Sequence, residues 1–262
     1  MNIDSKHALL AMILLGMSLI PIGDSAGKLL TEVGVSPAFI AWSRLLIGFI
    51  IILPFSGLVR SELKLLYDWR LLCRAVPFTT AIFCMISALK TEPIANAFGI
   101  FFIGPIVAYF LAAAVLKERV TLLRSVLLFI GFAGVALVVK PAVGLTTGML
   151  FAVIAGVCYG AMLVANRWLS GFFRPRLILV STLLAGSIAL APVGIPDIPK
   201  TIDSYIAGLV MISSLASALG NLIIIEVSRR VDANIVAPFV YSQLVTAAIL
   251  GALLFNEWPD AY

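Results

Sequence analysis

Apolar residues in this chain fall in long segments separated by short polar breaks. A hydrocarbon core about 30 Å thick is crossed by roughly 20 residues at 1.5 Å per residue, and the backbone groups inside it must be bonded within the segment. The pattern predicts nine spanning helices: Ala8 to Leu30, Pro37 to Val59, Leu71 to Leu89, Pro93 to Leu116, Val120 to Val139, Thr147 to Trp168, Leu177 to Pro196, Ser204 to Ile225 and Ala233 to Phe255. No charge interrupts Pro93 to Leu116, Pro141 to Asn166, Leu177 to Pro196, Ser204 to Ile225 or Ala233 to Asn256. Asp24 and Arg44 lie inside the first two spans, and the third and fifth begin beside Arg74 and Arg124. Lys6 before the first run suits a signal peptide, but no small-residue cleavage site ends that run, so it reads as a retained helix.

Composition agrees, with 62% hydrophobic and 12% charged residues, where soluble domains carry about a quarter charged. The fold class is therefore an all-α polytopic membrane protein. Lys6, Arg60, Lys64, Arg70, Arg74, Lys117, Arg119, Arg124, Arg167, Arg174, Arg176, Arg229 and Arg230 fall in alternate breaks, against Lys28, Lys90, Lys140 and Lys200 in the others. That bias places the amino terminus and the basic breaks in the cytoplasm, across the inner membrane if the cell is bacterial. It also explains the net charge of +5 through topology and anionic lipid, and excludes nucleic acid as a partner. Cys73, Cys84 and Cys158 lack metal-ligand spacing and read as packing residues, with no metal or cofactor implied.

The chain is also internally duplicated. A shift of 139 positions lays Ser87–Val120 on Glu226–Pro259, pairing Lys90 with Arg229, Ala108 with Ala247 and Glu118 with Glu257, and it pairs Lys28 with Arg167. In both copies a basic break precedes a long apolar helix that ends at a Glu beside a turn, LKERV or FNEWP. Five helices fill the first copy, residues 1–140, and an odd count sends the second, 141–262, through the membrane upside down. Inverted repeats suit transporters, because two similar halves exchange inward-open and outward-open packings around a midplane site.

The order of GDSAGKLL, AWSRLLIGF, SALKTEPIANAF, Pro105, LKERV and finally FNEWPD resembles the EamA-type branch of the drug/metabolite transporter superfamily over essentially the whole chain. The resemblance implies ten helices with both ends cytoplasmic, and export of amino acids, metabolites or toxic compounds. Nine of those ten are present as two inverted repeats; the chain stops at Tyr262, after the Glu-Trp-Pro turn, so the tenth is expected to be missing. The expected partners are a small-molecule substrate and the bilayer, with the protein a monomer or homodimer.

Candidate site residues follow from polarity at membrane depth, where an ionisable group costs a few kcal/mol unless paired or wetted. Arg44 can attract an anionic substrate group or hold a helix contact. Asp24 can titrate during proton coupling, but Lys28 four residues on favours a salt bridge along one helical face. Trp42, Asn96, Tyr159, Asn166, Asn221, Tyr241 and Gln243 are candidate substrate-binding residues, set against helix-to-helix bonding; Tyr109, Asn234 and Ser242 belong to the same polar pool. Tyr241 and Gln243 follow Pro238, where a bend opens space. The pairs Gly23/Gly27 and Gly156/Gly160 read as close-packing motifs, and Glu118 and Glu257 as caps of the fifth and the absent tenth helices. The rival classes are an intramembrane enzyme, for which no nucleophile-base pair, paired carboxylates or metal cluster is visible, and a non-transporting receptor or assembly subunit.

Overall fold

The apolar segments are helical throughout the computed structural model, which describes residues 3–119, 121–138 and 146–257. Helix α1 spans Ile3–Glu32, α2 Pro37–Phe55, α3 Trp69–Leu89, α4 Ile94–Phe101, α5 Ile103–Val115, α6 Leu122–Val138, α7 Thr147–Leu169, α8 Pro175–Gly194, α9 Ser204–Ser228, α10 Ala233–Val236 and α11 Ser242–Phe255. Among the described residues there is no strand, and eight spans are long and apolar enough to cross a membrane, counting α4 with α5 and α10 with α11 as one each. The expected fifth span is α6, whose 17 residues reach roughly 25 Å. Its expected limits, Val120 and Val139, lie outside the described residues, as do Lys140 and Pro141. The second span stops at Phe55 rather than Val59, because Ser56 closes a turn onto Leu53 and Gly57 takes a positive φ of 59°.

Side chains at the breaks start the next helix. Ser36 accepts from the Ala38 amide at 3.2 Å, Asp68 from Arg70 at 2.8 Å, Thr146 from Met149 at 3.0 Å and Asp203 from Ile206 at 2.8 Å, each satisfying a donor that a helix start leaves orphaned. Large apolar side chains such as Leu15, Ile50, Val76, Ile130, Val245 and Leu253 point outward, as a lipid-facing surface requires.

Contacts between the breaks define two ends of the bundle. At one, the basic end, Arg174 binds the Gly57 carbonyl and Glu62, Arg176 binds the Phe55 carbonyl, and Arg167 binds the Ser228 carbonyl and Asp232. At the other, Lys28 meets the Glu92 carbonyl, Thr146 meets the Glu92 carboxylate, and Ser36 meets Asp197. Helix α1 reaches Lys28 at this second end, whereas α7 starts there at Thr146 and reaches Arg167 at the basic end, so the two run in opposite directions.

Packing repeats under exchange of α1, α2, α3 and α4–α5 with α7, α8, α9 and α10–α11. Helix α1 packs on α9 as α3 packs on α7, α2 on α9 as α8 on α3, and α11 on α1 as α5 on α7, while α2 packs on its counterpart α8. Close approach needs small residues. A Cβ at Gly23 would lie 3.1 Å from the Ser213 carbonyl and one at Gly27 2.6 Å from Ile86, while Gly156 and Gly160 lie against the carbonyls of Phe101 and Gly104. The expected packing role of both glycine pairs is what these contacts show.

Two spans are broken, and at positions 139 residues apart. The fourth is interrupted at Phe102, whose ψ of 7° leaves the helical region; Pro105 has no N–H to return to the Phe101 carbonyl. The last is broken by a 3-10 segment, Ala237–Tyr241, that contains Pro238. Phe102 and Tyr241 are shift partners, and their rings meet edge to face at 5.4 Å.

Candidate functional site

Polar side chains converge in the middle of the bundle on two junctions. In the first, where α1, α2 and α9 meet, Arg44 donates from Nη1 to Asp24 Oδ1 at 2.6 Å, from Nη2 to the Gly23 carbonyl at 2.7 Å and from Nε to Ser213 Oγ at 2.9 Å. Ser213 also donates to the Gly23 carbonyl at 2.9 Å. Asp24 and Arg44 are 4% and 3% exposed, so this ion pair is removed from water. Asp24 therefore pairs across helices and not with Lys28, as the i,i+4 spacing suggested. Lys28 has been drawn to the bundle's end, where its ammonium meets Glu257 and lies 4.7 Å from the Phe255 ring.

The second junction, of α3, α7 and α8, holds Arg74. Grouped with the loop cations at the sequence level, Arg74 is 0% exposed. Its Nε donates to Asn166 Oδ1 at 2.5 Å and its Nη1 to Thr182 Oγ1 at 2.6 Å, while its guanidinium carbon lies 4.9 Å from the Phe78 ring centre. Nothing in the sequence sets Arg74 apart from its basic neighbours Arg70 and Lys64; only the arrival of Asn166 and Thr182 from the other half does so.

Between the junctions lies a cavity of about 40 Å³ lined by Asp24, Arg44, Phe78, Phe101, Tyr159 and Asn221, with Met85, Met162 and Ser217 completing much of its wall. That admits ordered water but not a metabolite, which fills several hundred Å³; the central space is closed in this state. Gln243 donates from Nε2 to Met17 Sδ and to the Tyr159 hydroxyl, each at 3.2 Å. Asn221 Oδ1, Gln243 Oε1, Ser25 Oγ and the Tyr241 hydroxyl are buried without a hydrogen-bond partner among the described residues. Larger hollows open at the ends, one of about 530 Å³ around Glu118, Arg167 and Asp232.

Of the residues expected at a site, Asp24, Arg44, Tyr159 and Asn221 line the central cavity. Gln243 adjoins Tyr159, and Tyr241 stacks on Phe102. Asn166 instead holds Arg74, Trp42 packs on Gly194 and against Phe39, and Asn96 lies half-buried on α4, away from the cavity wall. Tyr109 and Asn234 bond to Ser125 and to the Arg119 carbonyl, and Ser242 to the Phe239 carbonyl. Sequence reading missed Phe101 and the three methionines, because long apolar side chains in a membrane helix give no signal of which way they face, and Arg74, because it stands in a basic run.

Glu118 and Glu257 each close a helix start in the opposite half of the chain. Glu118 accepts from the amides of Ala233 and Asn234 at 3.0 Å each, at the start of α10, with Arg167 at 3.9 Å. Glu257 accepts from the Ile94 amide at 2.8 Å, at the start of α4, and meets Lys28. The shift of 139 exchanges these two arrangements residue by residue. Each is a carboxylate from one half closing a helix start in the other, with a cation beside it, and they sit at opposite ends of the bundle. Such a carboxylate satisfies orphan amides and the helix dipole together.

Comparison with known proteins gives a consistent picture. The model of the EamA-like transporter family matches residues 7–140 and again 146–262. A protein of Rickettsia bellii (strain RML369-C) described as an S-adenosylmethionine uptake transporter is 26% identical over 226 residues, covering 84% of this chain and 76% of that protein. Its namesake in Rickettsia prowazekii (strain Madrid E) is 24% identical over the same shares. An uncharacterized transporter of Archaeoglobus fulgidus is 28% identical over 162 residues, 62% of this chain and 58% of the other. One solved crystal structure aligns with a TM-score of 0.72 at 19% identity over 96% of this chain and 91% of its own, a likeness of fold.

Proposed function

The chain belongs to the EamA-like transporter family, and from that premise we propose that it takes up a small organic metabolite by alternating access between two inverted halves, residues 1–140 and 141–262. S-adenosylmethionine is the first candidate substrate, on the description of the Rickettsia relatives; uptake replaces the export that family resemblance alone implied. The site is the central cavity, with Asp24, Arg44, Tyr159 and Asn221 as its polar groups and Gln243 behind them. The observation that carries this is the set of buried polar atoms left without partners around a space between the halves. A fold that served only as a scaffold would have satisfied them, since each costs about 1–3 kcal/mol when orphaned. Phe101, Tyr159 and the methionines offer ring faces and polarizable sulfur to a flat base. Asp24 supplies the negative charge that a cationic centre needs.

Alternation has its hardware at the two ends. The Glu118/Arg167 and Glu257/Lys28 clasps each join the halves, so access from either end requires one of them to part. The repeated packing and the two matched stretches support a two-repeat division, and the positive-inside bias supports a cytoplasmic basic end and amino terminus in an inner membrane. We read the chain as a transporter and not as an enzyme, on the family it belongs to and the descriptions of its relatives.

The test is flux. Purified protein in liposomes should accumulate labelled S-adenosylmethionine saturably, with Asn221→Ala and Tyr159→Ala losing at least tenfold in rate while keeping the elution profile of the parent. Flux equal to that of empty liposomes for S-adenosylmethionine and a panel of amino acids and nucleosides would overturn the reading, and conversion of the solute would replace it with an enzyme.

A further inference from the structure

The two arginine junctions are related by the 139-residue shift, yet their charges do not match. Ser213, the hydroxyl that Arg44 uses on α9, is the shift partner of Arg74, and Thr182, the hydroxyl that Arg74 uses on α8, is the partner of Ser43 beside Arg44. Arginine and hydroxyl have thus traded places between equivalent helices. Arg44 is neutralised by Asp24. Arg74, fully buried, has only the neutral acceptors Asn166 and Thr182 and no carboxylate among the described residues.

Its hydrogen bonding is also incomplete on one side. Nε and Nη2 form the edge of a guanidinium that grips a carboxylate bidentately; here Nε is bonded and Nη2 has no partner among the described residues. Asn166 Nδ2, carried by the same amide that accepts from Nε, is a second buried donor without an acceptor. A lone buried cation flanked by two empty donors is a receptor for an oxyanion. Arg74 stands six residues into α3 from its basic-end start, and Arg44 eight residues into α2 from the opposite end, so they bracket the cavity. Phe78 lines that cavity and covers the Arg74 guanidinium with its ring.

We propose that Arg74 and Asn166 form a subsite for the carboxylate of an organic solute, reached from the central cavity when the Phe78 ring turns aside. The inference deepens the transport reading by giving the substrate a carboxylate and placing it toward the basic end, where it is held last before release on that side. A phosphate ester offers similar chemistry from another source, and the probes separate the two.

The experiment measures the unfolding midpoint of the full chain in lipid nanodiscs with N-acetylmethionine, with its primary amide, and with inorganic phosphate, at equal millimolar concentrations. The first two differ only in the carboxylate. The parent should rise by a few degrees with the acid and not with the amide or phosphate. Arg74→Gln should lose that rise, and Arg74→Lys should keep a reduced one. Without ligand, Arg74→Gln should melt no lower than the parent, because it removes an uncompensated charge. An equal response to acid and amide, no response to either, a response to phosphate alone, or an acid preference surviving in Arg74→Gln overturns the proposal. Acid preference intact in a protein that moves no S-adenosylmethionine would remove the candidate substrate and leave this subsite standing.

Discussion

Replacing Asp24 with Asn isolates the charge of the best-buried ion pair among the described residues. The amide is nearly isosteric and still offers an oxygen to Arg44 Nη1, so the 2.6 Å hydrogen bond can persist while the negative charge is lost. What remains is a guanidinium 3% exposed, held by the Gly23 carbonyl and Ser213. Removing one partner of a buried pair typically costs about 3–5 kcal/mol, whereas replacing both with apolar groups of similar volume is often close to neutral. At roughly 2–4 °C per kcal/mol for chains of this size, the single variant should melt about 6–20 °C below the parent. Asp24→Leu with Arg44→Met should recover most of that loss, so that the double variant falls short of the sum of the two single losses by about 5 kcal/mol or more. Thermal unfolding in one detergent, followed by tryptophan fluorescence on the parent, Asp24→Leu, Arg44→Met and the double variant, gives the cycle. A double variant whose loss equals the sum of the single losses, or an Asp24→Asn protein as stable as the parent, would show that the pair does not carry the junction.

Three further outcomes follow from the packing and the ends. Gly160→Leu must push α7 away from the Gly104 carbonyl and the Ala108 amide, an overpacking cost of about 1–3 kcal/mol or more, so the variant should lose its monodisperse peak by fluorescence-detected size exclusion; Gly208→Leu, with no neighbour within 4 Å, should not. Gly34→Ala meets no steric neighbour but must hold φ at 87°, and should cost about 1 kcal/mol through backbone strain alone, read as a modest drop in midpoint. Glu257→Gln frees Lys28 and weakens the cap on α4, so a single cysteine introduced at Asn96 should react with a maleimide several-fold faster than in the parent. Glu118→Gln, at the other end, should leave that rate unchanged or lower it.

Much of the fold was legible because the bilayer imposes a length rule that one sequence suffices to apply. Each uncharged stretch carries a spanning helix within its described residues, and Pro238 marked the break at Ala237–Tyr241. The site was less legible because its partners are distant in the chain. Asp24 and Lys28 satisfy a local pairing rule, yet each found a stronger partner far along the chain, 20 and 229 positions away. Glu118 and Glu257 were visible as matched helix-end residues, but that each serves the opposite half depends on the halves interlocking, which no local pattern encodes. Arg74 sits in the same basic run that sets topology, and its burial follows only from the docking of α7 and α8 against α3.

The central claim is that two interlocked halves open one end at a time. It is tested most directly by distances at both ends of the same molecule: spin labels at Lys117 and Gly171 around the Glu118 clasp, and at Lys90 and Asn256 around the Glu257 clasp, in a background without Cys73, Cys84 and Cys158. In liposomes the two pairs should each show a short and a long distance whose populations move in opposite senses when S-adenosylmethionine is added. Distances that are single and unmoved at both ends, or that lengthen together, would contradict alternating access in this protein.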